Sequence, residues 1–378
     1  MQFIRKLIKT AKRKWRKSLA GRLLDRKAAH GYEAPQFFDR TREAKIDKFL
    51  SKVGGNAHII ARQEVLEHIR RLKPRASFSS SSRYDGTVND RETVFVLMPE
   101  ELEIARRIRN DHPRSRVFSV KYDLLPAILT GSKNRIFLEP NSRAEPELKF
   151  ALFCTPRSGS TYLCSLLAKA GCGQPREHLR EPLIYLLKQG LDFPLFMEGL
   201  YRYGTKNRTF GTKFIHHYLF NGFKTEEARQ SFRNLLEDQG FRLIYLERDK
   251  IEQAVSQYFA TSTRIWHVRQ DFDEKLVERY AQIPYDLEKL RTRYEWSMRG
   301  EAELRGFLER FEQPILHLDY AALDSNPTRV LADVLDFLGA GQDFPADDQN
   351  RITRKVSGKI PVVQDYAARL REDLGLAS

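Results

Sequence analysis

Cysteine is scarce: Cys154, Cys164 and Cys172 are the only three in the chain, and all fall in one short stretch. They form no CxxC pair and show no metal-type Cys/His spacing, so no metal centre is expected and a reducing compartment fits best. No run approaches the ~20 consecutive apolar residues that a membrane-spanning helix needs. The N-terminus is positive but lacks the uninterrupted apolar stretch of a secretory leader, so the expected location is the cytoplasm. Acidic residues are nearly missing from the first thirty positions, where Asp25 stands alone against eleven Lys and Arg. Ten of the fifteen net positive charges therefore sit there, and the remainder of the chain is only mildly basic.

What is present describes a folded protein. With 378 residues, 41% hydrophobic and 30% charged, the chain suits about two globular domains and not wholesale disorder. In the first segment, Ile4, Leu7, Ile8, Ala11, Trp15, Leu19 and Leu23 recur at helical spacing among the cations, which predicts a basic amphipathic helix over residues 1–30. Such a helix suits an anionic membrane surface contacted through residues 1–27, peripheral on the inner face of the cytoplasmic membrane. Packing on its own protein or a partner is an alternative, and a nucleic-acid arm is the least favoured one.

Residues 34–146 read as a small α/β appendage. Helices are expected from Arg40 to Lys52 and from Arg62 to Leu72, followed by a serine-rich linker from Pro74 to Asp90 that includes Ser79–Ser82. A β-like run at Thr93–Leu97, a helix opening at Pro99-Glu100-Glu101, and a second β-like run at Arg116–Tyr122 come next. No chemical constellation stands out in this region. The stretch Asn141–Pro146 marks a boundary, and a second domain over 147–378 follows.

That domain opens with a continuous apolar strand, Phe150–Cys154, then Thr155-Pro156-Arg157-Ser158-Gly159-Ser160-Thr161, then a helical stripe from Tyr162. A tight loop between strand and helix leaves main-chain N–H groups pointing at its occupant, and the helix dipole favours an anion. Gly159 permits close approach of the main chain. Ser158, Ser160 and Thr161 add hydroxyls, and Arg157 adds a planar cation suited to phosphate or sulfate oxygens. The GxxxxGK[ST] pattern is absent, and the best later strand, Leu243–Leu246, ends in Glu247-Arg248 with no magnesium-binding Asp, which disfavours ATP hydrolysis. Arg248 at that strand end and Ser256 on the next helix can converge on one phosphate at the carboxyl edge of a parallel sheet.

The string Thr155–Leu163 resembles the 5′-phosphosulfate loop of sulfotransferases. With Gly171–Glu177, Gly211-Thr212-Lys213, Glu247–Ser256 and Thr263-Arg264-Ile265-Trp266, the order and spacing resemble the bacterial trehalose 2-sulfotransferase family over about 230 residues. The resemblance implies a three-layer, P-loop-like α/β domain around a mainly parallel sheet, using 3′-phosphoadenosine 5′-phosphosulfate as sulfate donor and no metal. It implies that Arg248 and Ser256 hold the donor's 3′-phosphate, that Arg354 in the basic loop 353–359 covers the nucleotide, and that Glu177 is the general base. Lys213 matches a basic position of the family, and Arg157 with the loop N–H groups would stabilise the transferring group. His178, His216 and His217 are substitute bases, and Glu177 has a plainer alternative as a loop carboxylate paired to Arg176 or Arg180. The expected acceptor is a carbohydrate or glycolipid, although Pro182–Arg208 carries no matching acceptor contacts; the family also implies a homodimer. Two rival readings stay open: a nucleotide phosphotransferase on the same loop, and a non-catalytic sulfonucleotide- or nucleic-acid-binding protein.

Overall fold

The computed structural model describes residues 57–63, 66–67, 70, 79–86, 88–89, 92–98, 100–130, 146–180, 183–187, 191–266, 274–340 and 360–376. The expected amphipathic helix over 1–30, the helix over 40–52, most of that over 62–72, and the basic loop 353–359 lie outside these residues.

Four parallel strands form a first sheet: β1 (Ala57–Ala61), β2 (Ser79–Ser81), β3 (Thr93–Leu97) and β4 (Arg116–Ser119), in the order β2-β1-β3-β4. A parallel sheet is covered on both faces, which is why β3 reads as an unbroken apolar run and is buried throughout. The serines at 79–81, expected as linker, instead form an edge strand on β1. An edge strand pairs through its main chain and tolerates polar side chains; here Ser80 accepts from Arg70, and Ser81 shares a hydrogen bond with His58. The Arg116–Tyr122 run is also shorter than expected, because β4 stops at Ser119 and a π turn, Val120–Leu124, follows. Asp123 Oδ2 accepts from Ser119 N at 2.9 Å and Ser119 Oγ from Tyr122 N at 3.1 Å, so side chains divert the N–H groups that would continue the strand.

The second sheet has the same pattern: β5 (Leu148–Cys154), β6 (Thr209–Ile215), β7 (Phe241–Glu247) and β8 (Ile315–Asp319), parallel, in the order β6-β5-β7-β8. Alternate residues face opposite layers. Phe153, Phe214, Leu243 and Tyr245 pack with Phe232 of helix Glu226–Asp238 and Phe307 of helix Leu287–Leu308. Leu152, Cys154, Ile244 and Leu246 pack with Leu163 and Leu167 of helix Ser160–Lys169 and Val330 and Val334 of helix Pro327–Phe337. This is the expected three-layer α/β domain.

The chain leaves β5 towards one edge to make β6 and returns to the other side to make β7, so a topological switch point lies between β5 and β7. Ligands of open α/β sheets bind outside the carboxyl ends of the strands at such a point. The first sheet, the expected small α/β appendage, packs on the second: Ile59, Phe95, Phe118 and Leu125 belong to the same apolar cluster as Phe153, Phe196 and Phe307.

Candidate active site

Register brings the carboxyl ends of all four strands to one edge. Cys154 pairs with Ile215 of β6 and Leu246 of β7, and Glu247 pairs with Asp319 of β8, so Thr155, His216, Arg248 and Tyr320 all leave the sheet at one edge. The loop after β5 turns through two left-handed residues, Arg157 (φ 66) and Gly159 (φ 89), and Gly159 starts helix Ser160–Lys169 with no side-chain cap. Tyr162 N bonds to the Gly159 carbonyl at 2.9 Å, while the N–H groups of Ser160 and Thr161 meet no side-chain acceptor among the described residues and are available to an anion. Ser158 is fully buried, and among the described residues its hydroxyl meets no partner at hydrogen-bonding geometry, the Cys154 thiol being its polar neighbour. A Cβ on Gly159 would sit 2.2 Å from ring carbons of Tyr320, so only glycine fits between the loop and that ring.

One side of the loop gathers the expected phosphate ligands. Arg157 Nε donates to Ser256 Oγ at 3.1 Å and Nη1 to the carbonyl of Trp266 at 2.5 Å. Arg248 Nη1 donates to the carbonyl of Arg157 at 3.0 Å, and its Nε and Nη2 bind Glu252 Oε2. The Arg248 guanidinium also stacks 4.3 Å from the centre of the Tyr320 ring, a cation–π contact worth on the order of 2 kcal/mol when desolvated. Burial and then the neighbouring Arg248 charge pull the Arg157 guanidinium below its ordinary pKa. Its hydrogen-bonding partners among the described residues are neutral oxygens. Two guanidiniums held together, one without a carboxylate, make a place where an anion is stabilised.

The other side gathers the expected reacting groups. Lys213 Nζ lies 3.5 Å from Glu177 Oε2 and donates to Thr161 Oγ1 at 3.3 Å, spanning the distance between candidate base and loop. Burial alone lowers the Lys213 ammonium pKa, but Cys164, Cys154 and Glu177 outweigh it and the net direction is upward. Glu177 is placed there because Lys213 N bonds to the carbonyl of Arg176 at 2.8 Å and Arg176 bridges to Thr212, which lays the Arg176–Glu177 segment along the edge of β6. Its ion pair is thus with Lys213, while Arg176 donates to Gln174.

The histidines fare worse as bases. His178 is fully buried, bonded through Nδ1 to Thr212 Oγ1 at 3.0 Å and stacked on Phe210, and burial pushes its pKa down to about 3. His216 is held by Glu303 at 2.6 Å, and burial with the neighbouring His216 brings His217 down to about 4. Arg354 lies outside the described residues.

Several supporting residues were not singled out from the sequence. Gln253 Nε2 donates to Thr155 Oγ1 at 2.8 Å and to the carbonyl of Pro156 at 3.1 Å, while Thr155 donates to the buried Glu301. Lys250 pairs with Glu301 at 2.8 Å and donates to the carbonyl of Arg248 at 2.6 Å, and through Glu301 and Thr155 it links the turns that follow β7 and β5. Gln253 and Lys250 lie inside the Glu247–Ser256 block, so their place in the chain was a signal; Glu301 and Tyr320 carried none, because only the fold brings them near.

The geometry is thus a strand–loop–helix anion cradle at the switch point of a parallel sheet, with cations from two adjoining strands. Residues 204–373 match the family model described as Stf0 sulphotransferase. The matched region holds Lys213, Arg248 and Ser256, and starts after the loop and Glu177. Solved structures similar to this chain include the sulfotransferase domain from the curacin biosynthetic pathway, at 16% identity and TM-score 0.32, covering 61% of this chain and 98% of that one. Another is the sulfotransferase domain of the Synechococcus PCC 7002 olefin synthase, at 18% identity and TM-score 0.26, covering 62% and 98%. Among curated proteins no sequence matches.

Proposed function

We propose that this chain is a sulfotransferase that moves the sulfuryl group of 3′-phosphoadenosine 5′-phosphosulfate to a hydroxyl of a carbohydrate or glycolipid. The observation that carries the reading is the pair of half-buried Arg157 and buried Arg248 against a glycine-capped loop whose Ser158 hydroxyl has no hydrogen-bond partner among the described residues. The family match over 204–373 supports the sulfuryl group as the cargo. In this reading Arg248 and Ser256 hold the 3′-phosphate, and the loop N–H groups with Arg157, Ser158, Ser160 and Thr161 hold the 5′-phosphosulfate, Arg157 stabilising the transferring group. Arg354 would close over the nucleotide.

Glu177 accepts the proton of the attacking hydroxyl as the new O–S bond forms, and the donor's bridging oxygen departs on the opposite side of sulfur. Lys213, between Glu177 and Thr161, is placed to neutralise charge building on oxygens at the loop. Transfer in line through a loosely bonded sulfuryl needs positioning and charge stabilisation more than covalent help. No metal takes part in this reading. The basic segment 1–27 would bring the enzyme to an anionic membrane surface on the cytoplasmic side, where a glycolipid acceptor lies, and a homodimer completes the proposal. Among the described residues no helix is long and apolar enough to cross a membrane.

Calorimetry tests the donor assignment. Adenosine 3′,5′-bisphosphate is expected to bind the wild-type chain well and without magnesium, and ATP poorly. Tight, magnesium-dependent ATP binding with no bisphosphate binding would turn the reading to a phosphotransferase.

A further inference from the structure

Residues 57–130 have no part in the chemistry just described, yet they pack on the chain segment that joins the two reacting groups. Between Glu177 and Lys213 the chain makes helix Phe193–Gly204, and the stretch Tyr122–Thr130 lies along that helix from end to end. Asp192 N, at its start, donates to Tyr122 Oη at 3.3 Å. A Cβ on Gly199 would meet the main-chain carbonyl of Tyr122 at 2.2 Å and Pro126 at 2.8 Å. Arg202 pairs with the buried Asp123 at 2.5 Å, and Arg109 approaches the same carboxylate at 3.4 Å.

The contact continues into the site. A Cβ on Gly204 would lie 2.8 Å from Thr130 Cγ2 and 3.1 Å from Phe210 Cε2. Tyr201 meets Phe210 edge-on, with ring centres 4.9 Å apart, and Phe210 stacks on His178 at 5.4 Å. His178 adjoins Glu177 and is pinned to Thr212, the neighbour of Lys213. Packed side chains thus run from Thr130 through helix Phe193–Gly204 and Phe210 to the residue beside the base. Among the described residues, the donor-side contacts of Arg157, Arg248 and Ser256 are with one another, with Glu252, with Trp266 and with Tyr320, and none is with residues of the N-terminal sheet unit.

We propose that the N-terminal sheet unit is a buttress for the base side of the site: it fixes where Glu177 and Lys213 stand and leaves donor binding alone. The inference rests on the functional reading above. It makes Thr130, Gly199, Gly204 and Phe210 positioning residues that act through His178 on Glu177. The fully buried His178, unsuited as a base, acquires a role as the last link.

Gly204→Ala is the discriminating variant. The position is not left-handed, and alanine is the better helix former, so the fold should hold while the new methyl presses on Phe210 and Thr130. Turnover of labelled donor, counted as sulfate released to water plus sulfate moved to a panel of neutral sugars, is expected to fall ~10-fold, since small misplacements of a reacting group are costly. The dissociation constant of adenosine 3′,5′-bisphosphate should stay within about twofold, and Thr130→Ser, which removes the opposing methyl, should restore part of the rate. In a Glu177→Gln background the same substitution should change little, because the two act as one unit. A loss of equal size in both backgrounds, or bisphosphate affinity falling in step with turnover, would overturn the buttress while leaving the donor reading intact. A wild-type chain that binds no bisphosphate overturns the donor reading, and the buttress with it.

Discussion

Glu177→Gln is expected to lower the chemical step by ~10²–10⁴-fold, the usual contribution of a general base, while adenosine 3′,5′-bisphosphate binds as before. Glutamine keeps the size and shape of the side chain but cannot take a proton. Its amide can still face Lys213, which lies 3.5 Å from Glu177 Oε2. The neighbouring imidazoles offer no replacement. His178 is buried, bonded to Thr212 and held neutral with a pKa near 3, and His216 is committed to Glu303. Single-turnover kinetics separate the step from binding. Turnover within a few-fold of wild type would remove Glu177 from the role.

Arg248→Ala is expected to weaken binding of adenosine 3′,5′-bisphosphate by roughly 10- to 150-fold, the equivalent of a charged hydrogen bond worth ~1.5–3 kcal/mol. Adenosine 5′-phosphosulfate, which lacks the 3′-phosphate, should lose far less. Glu252, the carboxylate that Arg248 leaves behind, is part-exposed and can be solvated, so the fold has no buried charge to strand. Some general weakening will come from the lost grip on the carbonyl of Arg157 and from the vacated face of Tyr320. The difference between the two nucleotides, measured by calorimetry, is the informative quantity; equal losses for both would mean that Arg248 braces the loop and does not touch a 3′-phosphate.

How much of this was legible in the sequence follows from what each signal depends on. β5 and β7 were readable as apolar runs because the inner strands of a covered parallel sheet are buried on both faces, whereas the edge strand β8 buries only Leu318 and was readable from its β-like Ile315–Asp319 pattern. The loop was readable because its chemistry is local: Arg157, Ser158, Gly159, Ser160 and Thr161 are consecutive. The pairing of Arg248 with Ser256 was legible for a related reason, since a strand end and the next helix in this fold class meet at one edge.

Ser79–Ser81 misled because an edge strand held by main-chain pairing leaves no apolar signature, and the short β1 was lost between two expected helices. The early end of β4 came from Ser119 and Asp123 capturing main-chain N–H groups, a competition that hydropathy does not register. Glu301 and Tyr320 were invisible because their partners, Thr155 and Gly159, are more than a hundred residues away in the chain. The same holds for the unit over 57–130: alone it shows no chemistry, and its significance appears only where it meets helix Phe193–Gly204.

The measurement that tests the central claim most directly follows the sulfur atom. The full chain, free of added metal and ATP, is incubated with donor labelled in the sulfuryl group and a panel of lipopolysaccharide, glycolipid and free-sugar acceptors. The account predicts label in a carbohydrate product, release of one adenosine 3′,5′-bisphosphate per sulfate transferred, and loss of the signal in Glu177→Gln. Donor that binds but passes no label to any acceptor or to water, with the bisphosphate never released, would contradict it and leave a sulfonucleotide-binding protein in place of an enzyme.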